Sequence, residues 1–381
     1  MDFDFTWLLW GLPIAFALGW GASRLDLRQW RVASRQAPKA YFRGLNHLLN
    51  EQQDQAIDAF VEAVQSDPDT AELHFALGNL FRRRGDYDRA VRVHEHLLSR
   101  GDLSRKDRDR AQHALALDFL KAGLLDRAET ALRKLDGSDF EGEALLALLA
   151  IAERSRDWMQ ASQIATRLEG TGQGSFASRL AHYLCEQADQ ALRQGDAARA
   201  EVFLTEATRQ APELARGWLA MAQMKAQAGH NGEALDALLS LAQRAPQGLP
   251  LAAARMAELA RTTGREAEVL VVLQGADAQA PSLDMTEALA SLSRSEAEAR
   301  HHYLAHLARE SSLVIAGQWL AGETLSDPNA QEPIRDAVAQ ACNPLKRYRC
   351  AACGFEAQQH FWQCPGCQSW DSYPARRVEE L

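Results

Sequence analysis

Seven alanines at nearly one interval govern what this chain can fold into. They are Ala56, Ala90, Ala128, Ala161, Ala200, Ala234 and Ala267, at steps of 34, 38, 33, 39, 34 and 33. Between Ala40 and about Leu307 nearly every residue is a helix former, with Gly and Asp punctuating at intervals. Gly85, Gly123, Gly195 and Gly229 fall five residues before a ladder alanine, where a turn between two helices belongs. Phe60, Leu132, Leu204 and Leu238 stand four residues after it, and Pro68, Pro212 and Pro246 twelve after it, ending the second helix. Gly44 and Gly78 take the small position where two helices cross closely. An unrelated helical bundle would not hold one phase over six steps.

A unit of about 34 residues holding two antiparallel helices has the tetratricopeptide period. The expected fold is an all-α tetratricopeptide-repeat solenoid over 40–320, with surface insertions at about Ser104–Asp109 and Gly170–Gly174. After Ala267 the pattern decays into one or two degenerate units, as at a capping end, and 321–345 reads as a linker or capping segment. Stacked helix pairs offer a curved inner wall, formed by the first helices, that binds peptides or proteins. By repeat phase Phe75, Asn79 and Arg82 fall on that wall as candidate protein-binding residues, against the plainer reading of a solvated helix face.

A second module closes the chain. Cys350-Ala351-Ala352-Cys353 and Cys364-Pro365-Gly366-Cys367 are two Cys-x-x-Cys pairs ten residues apart. Two residues between thiolates let the backbone curl so that both sulfurs meet one ion, and ten suffice for a hairpin that brings the second pair back to complete a tetrahedral site. Gly354 and Pro365 suit the turns, and so small a module depends on ligation for its folding. The expectation over 346–376 is a zinc-ribbon or rubredoxin-like β domain binding one zinc ion, with a single iron as the alternative. Cys185 and Cys342 remain, and read as buried small hydrophobes.

From Phe5 to Ser23 there is no charge, and as a helix that run would be about 28 Å long, near the thickness of a bilayer core. Trp7, Trp10 and Trp20 lie towards its ends. A cleaved leader would need a basic start, whereas this chain begins Met1-Asp2-Phe3-Asp4 and has Arg24, Arg28, Arg31, Arg35, Lys39 and Arg43 afterwards. The expectation is an uncleaved transmembrane anchor over 1–23 and a basic juxtamembrane segment over 24–39, with the amino terminus outside and the rest cytoplasmic. Gly11, Ala15 and Gly19 recur at four-residue spacing, a face on which a second membrane helix could pack.

The net charge of −9 argues against nucleic acid as a partner. Neither a phosphate loop, a Ser/His/Asp order nor a His-Glu-x-x-His motif is present, so no catalytic activity is expected. His302 with His306, and His94 with His96, lack a third-ligand pattern and read as solvated helical histidines.

Anchor, basic segment, repeats and four-cysteine hairpin in this order resemble the lipopolysaccharide assembly protein B family of Gram-negative bacteria. The most specific matches are Leu77-Gly78-Asn79-Leu80-Phe81-Arg82, Arg84 through Ala90, and Arg347 through Trp370. Gln368 stands where rubredoxins usually have Gly after the second knuckle, which favours a structural ribbon over electron transfer. The resemblance implies a bacterial inner-membrane adaptor that brings the lipid A pathway deacetylase LpxC to the membrane AAA+ protease FtsH, with another inner-membrane regulator relieving the control. A general scaffold for lipopolysaccharide synthesis and transport enzymes is the alternative.

Overall fold

The computed structural model describes residues 14–20, 39–172 and 174–381. Most of the expected anchor and juxtamembrane segment, Gly11 included, lies outside the described residues. Residues 14–20 are helical and exposed, and they carry Ala15 and Gly19. Among the described residues no helix is long and apolar enough to cross a membrane.

Alanine recurs because the second helix of each pair buries its fourth residue against the first, where little more than a methyl group fits. Two compact units result, Met1–Ser155 and Arg156–Leu381. The first holds α1 (39–49), α2 (Gln53–Ser66), α3 (Ala71–Arg84), α4 (Tyr87–Ser99), α5 (Arg105–Lys121), α6 (Leu125–Arg133) and α7 (Glu141–Ser155). The second holds α8 (Trp158–Gly170), α9 (Ala177–Arg193), α10 (Ala197–Gln210), α11 (Ala215–Gln227), α12 (Asn231–Arg244), α13 (Leu249–Thr263) and α14 (Glu266–Gln279). It continues with α15 (Leu283–Leu292), α16 (Glu296–Leu307), α17 (Leu313–Ala321) and α18 (Pro328–Cys342), then the strands β1 (Tyr348–Arg349) and β2 (Glu356–Ala357).

Ala56, Ala90, Ala128, Ala161, Ala200 and Ala234 are each the fourth residue of α2, α4, α6, α8, α10 and α12, and all are fully buried. The seventh position departs from expectation. Ala267 is exposed, and the fourth residue of α14 is Val269, which is buried in its place. The last interval is thus 35 residues, and a branched side chain replaces the alanine.

Two further expectations change, and the linker or capping segment is seen to be largely one helix. Ser104–Asp109 is not an insertion: Ser104 caps α5 by accepting the Asp107 amide at 3.1 Å, and the extra residues lengthen the helix. The segment 321–345 contains α18, which packs on α17 through Val338, Cys342 and Ile315. Two histidines expected in solvent are buried. His94 stands four residues after Ala90, the position of Phe60 and Leu132 in other repeats, and its Nδ1 meets Asp118 Oδ2 at 2.5 Å. His306 shares a hydrogen bond with Thr286 Oγ1 at 2.9 Å. Of the other two, His96 is exposed and His302 half-buried.

Candidate metal centre and its seat on the repeats

Each cysteine pair sits in a turn closed by two backbone hydrogen bonds. In the first, Cys350 N donates to Phe355 O and Gly354 N to Cys350 O, both at 2.9 Å. In the second, Cys364 N donates to Ser369 O at 2.9 Å and Gln368 N to Cys364 O at 2.8 Å. The two knuckles are therefore built alike. Gly354 has φ 77° and Gln368 φ 61°, so the glutamine holds the left-handed conformation that a glycine would take at no steric cost. Antiparallel β1 and β2 pair Tyr348 with Ala357 and Arg349 with Glu356, and a bridge joins Gln363 to Trp370.

This framework brings the sulfurs of Cys350, Cys353, Cys364 and Cys367 within 4.8 Å of one another. Cys350 and Cys367 are 3.8 Å apart and Cys353 and Cys364 3.7 Å. A tetrahedron of metal–sulfur bonds of about 2.3 Å has edges of roughly 3.8 Å, so the cage fits one ion. Disulfides, at about 2.05 Å, are not formed. Burial opposes charge on Cys350, but the Ser372 hydroxyl and the Cys353 and Ala352 amides overcome it and bring the thiol down to about 6. The Ser369 hydroxyl and amide likewise lower Cys367. Such donors favour thiolates at Cys350 and Cys367; at Cys353 the Phe355 amide pulls the same way, but burial and the neighbouring sulfurs push that thiol up to about 12. Bound there, zinc or iron would draw the two knuckles into one unit. Cys350 and Cys364 face inwards, while Cys353 and Cys367 are exposed.

The inward side of the ribbon rests on the helices of its own unit. Tyr348, Cys350, Cys364 and Tyr373 form a small cluster with Phe361 and with Leu251 of α13. Trp370 stacks on His182 of α9 at 4.7 Å and meets Trp158 and Tyr183 edge-on. His182 Nε2 lies 2.8 Å from Asp371 Oδ1, and its Nδ1 lies 3.3 Å from Arg216 Nη1. A guanidinium can only donate, so Nδ1 is the acceptor and the proton sits on Nε2. Burial, against the pull of Asp371, lowers the His182 pKa and keeps the ring neutral. Arg216 is itself buried and donates to Glu186 at 2.6 Å. His182, Arg216 and Leu251 each stand 18 residues before a buried position of the ladder (Ala200, Ala234, Val269), so the repeat itself sets them in one column.

The carboxyl terminus fastens the other edge. Arg377 grips Asp284 with two bonds of 2.6 and 2.9 Å and lies over the Tyr348 ring. Glu380 accepts the Leu283 amide at 3.0 Å. Glu379 accepts Leu313 N at 2.6 Å and the Ser312 hydroxyl at 2.6 Å, capping α17.

Of the expected inner-wall residues, Phe75 is placed differently, while Asn79 and Arg82 are half-buried. Phe75 is 1% exposed, packed with Leu97 and Ala111 beneath the Arg110 guanidinium, and presents no surface to a partner. Repeat phase put it on the first helix of its pair, but its ring turns into the core. Arg82 donates to Asp118 Oδ1 at 2.9 Å and to Ala114 O at 3.0 Å, bracing α3 against α5, and to Asn79 Oδ1 on its own helix. Cys185 and Cys342 are buried, and burial pushes the Cys185 thiol up to about 12.

A helical-repeat protein that seats a four-cysteine metal ribbon on its own helices is the class that fold and site define. A family model described as a rubredoxin metal binding domain matches residues 348–373. Lipopolysaccharide assembly protein B of Escherichia coli strain K12 is 31% identical over 386 residues, covering 97% of this chain and 98% of the relative. Its namesake in Haemophilus influenzae is 27% identical over 383 residues, covering 95% and 96%. A tetratricopeptide repeat protein of Parabacteroides merdae, of known crystal structure, has a TM-score of 0.35 at 13% identity, covering 68% of this chain and 99% of that one. The chain belongs to the lipopolysaccharide assembly protein B family.

Proposed function

We propose that the protein serves lipopolysaccharide assembly as a non-catalytic adaptor at the bacterial inner membrane. In this reading it presents the lipid A pathway deacetylase LpxC to the membrane protease FtsH, and a further inner-membrane protein relieves the control. The observation that carries the role in lipopolysaccharide assembly is the match to relatives of that name along 97% of the chain. The uncharged run over 5–23 supports an anchor, and the basic residues after it support a single pass with the amino terminus periplasmic and the repeats and ribbon cytoplasmic. Anchoring raises the local concentration of the repeats beside a membrane protease, so delivery needs no high affinity. The metal, zinc in this reading, acts structurally.

A pulse–chase measurement tests it. Depleting the protein should lengthen the half-life of the deacetylase and raise lipopolysaccharide, and removing residues 1–23 should reproduce much of that effect. An unchanged half-life on depletion refutes delivery and leaves the general scaffold as the better reading.

A further inference from the structure

We propose that the loop 369–373 couples metal occupancy of the four-cysteine site to the seating of the ribbon on α9, which makes His182 a remote positioning residue for the metal. This goes beyond the adaptor reading and does not depend on who the partners are.

Successive side chains of the loop face two ways. Ser369 Oγ lies 3.3 Å from Cys367 Sγ, and Ser372 Oγ lies 3.3 Å from Cys350 Sγ. The two residues between them face the repeats instead. Trp370 lies on the His182 ring and Asp371 bonds its Nε2. The loop backbone is held from both sides as well. Ser372 O accepts the Ala351 amide at 2.7 Å, inside the first knuckle, and Asp371 N donates to Trp362 O at 3.0 Å, beside the second. With the four sulfurs gathered on one ion, Ser369 and Ser372 are fixed and Trp370 and Asp371 are aimed. Without an ion, four close thiol groups have little to hold them together, because the ribbon has almost no core of its own beyond the cluster around Tyr348 and Tyr373. The aim of the loop is then lost.

Linkage makes the coupling reciprocal: if metal favours seating by some factor, seating favours metal by the same factor. A side chain on α9 that touches no sulfur should therefore govern metal retention.

The test uses the full chain loaded with zinc and measures its zinc affinity by equilibrium competition with a chromogenic chelator. His182→Ala and Asp371→Ala should each weaken zinc affinity about fivefold or more, the lower end of ordinary coupling between sites. Asp371 is 44% exposed on its side chain, so its truncation leaves no core cavity and separates lost coupling from a damaged α9. In parallel, hydrogen exchange on the metal-stripped chain should show lost protection over α9 and over 369–373, with α2 to α4 unchanged. Parent affinity in both variants would overturn the proposal. So would a stripped chain that keeps full protection over α9 and the loop.

Discussion

A β-carbon at Gly78 would lie 2.5 Å from His94 Nε2, and one at Gly44 would lie 2.7 Å from the Phe60 ring. Each pair is 16 residues apart in sequence, so one crossing recurs in two repeats with a different large partner. Gly78→Ala should therefore destabilise the first unit by about 1–3 kcal/mol, the usual cost of overpacking. Gly275, helical with nothing within 4 Å, is the control, and its alanine should add up to about 1 kcal/mol. Urea unfolding of both variants decides this, and a neutral Gly78→Ala would mean that the helices can part at no cost. The burial of His94 was legible in the repeat phase, four residues after Ala90, but its pairing with His96 drew attention to metal ligation instead. His182 supplies a prediction in pH. Asp371 faces its Nε2, Arg216 faces its Nδ1, and Glu186 stands behind Arg216. A second proton would have to enter at Nδ1, against the guanidinium. Because the native pKa is lowered from 6.5, the unfolded chain binds the extra proton more readily, so the contribution to stability is complete above about 6.5 and is lost as pH falls from there. Nitrogen shifts of the His182 ring should show the Nε2–H form at pH of about 6.5, where a free histidine is half charged. A ring already half protonated at that pH would contradict the assigned proton position.

Turns between the paired helices show how an element is set by one backbone angle. Glu51, Gly85, Gly123, Arg156, Gly195, Gly229 and Gly264 all have positive φ, and each stands five residues before a buried position of the ladder. The left-handed residue releases one helix and starts the next. Glycine takes that conformation freely, whereas Glu51 at 59° and Arg156 at 58° bear a steric cost of about 1 kcal/mol. Arg156→Gly should thus raise stability by roughly 0.5–1 kcal/mol, offset in part by the greater freedom of the unfolded glycine. Thermal unfolding would register it, and a lower melting temperature would mean that the arginine side chain contributes more than its backbone costs. At the other end, Glu379→Ala removes the carboxylate that accepts Leu313 N but leaves the Ser312 hydroxyl capping Ile315 N, so it should cost about 1 kcal/mol and speed amide exchange over Leu313–Ala321. Unchanged exchange there would show that the Ser312 cap and packing hold the helix without the carboxylate. Four of the seven turns were legible because glycine announces them. Glu51 and Arg156 carry no such mark, and the last turn was missed because the apparent rung at Ala267 is two residues out of phase with Val269.

At the scale of the whole chain, the ribbon joins helices far apart in sequence. Trp370 meets Trp158 of α8 and His182 of α9, Arg377 grips Asp284 of α15, and Glu379 caps α17. The four cysteines were legible because metal chemistry fixes their spacing. The residues that receive the ribbon were not, since each is a single side chain on an ordinary helix, and only the column of His182, Arg216 and Leu251 at matching repeat positions hints at a shared role. All of these contacts lie within Arg156–Leu381. Metal removal should therefore act on one unit alone. Heating the intact chain should give separable transitions for the two units. A chelator, or Cys353→Ser, should lower the one belonging to 156–381 by roughly 6–12 °C, as expected if about 3 kcal/mol is lost from a unit of this size. Hydrogen exchange separates the two: α9 to α15 report the second unit and α2 to α4 the first, since Trp7, Trp10, Trp20 and Trp30 in the first unit would add to the fluorescence of Trp158, Trp218, Trp319, Trp362 and Trp370 in the second. If both transitions fall together on chelation, the two units are thermodynamically one and the ribbon stabilises the entire array. If neither moves, the seat holds without its metal, and the cysteine cage adds nothing to the fold it completes.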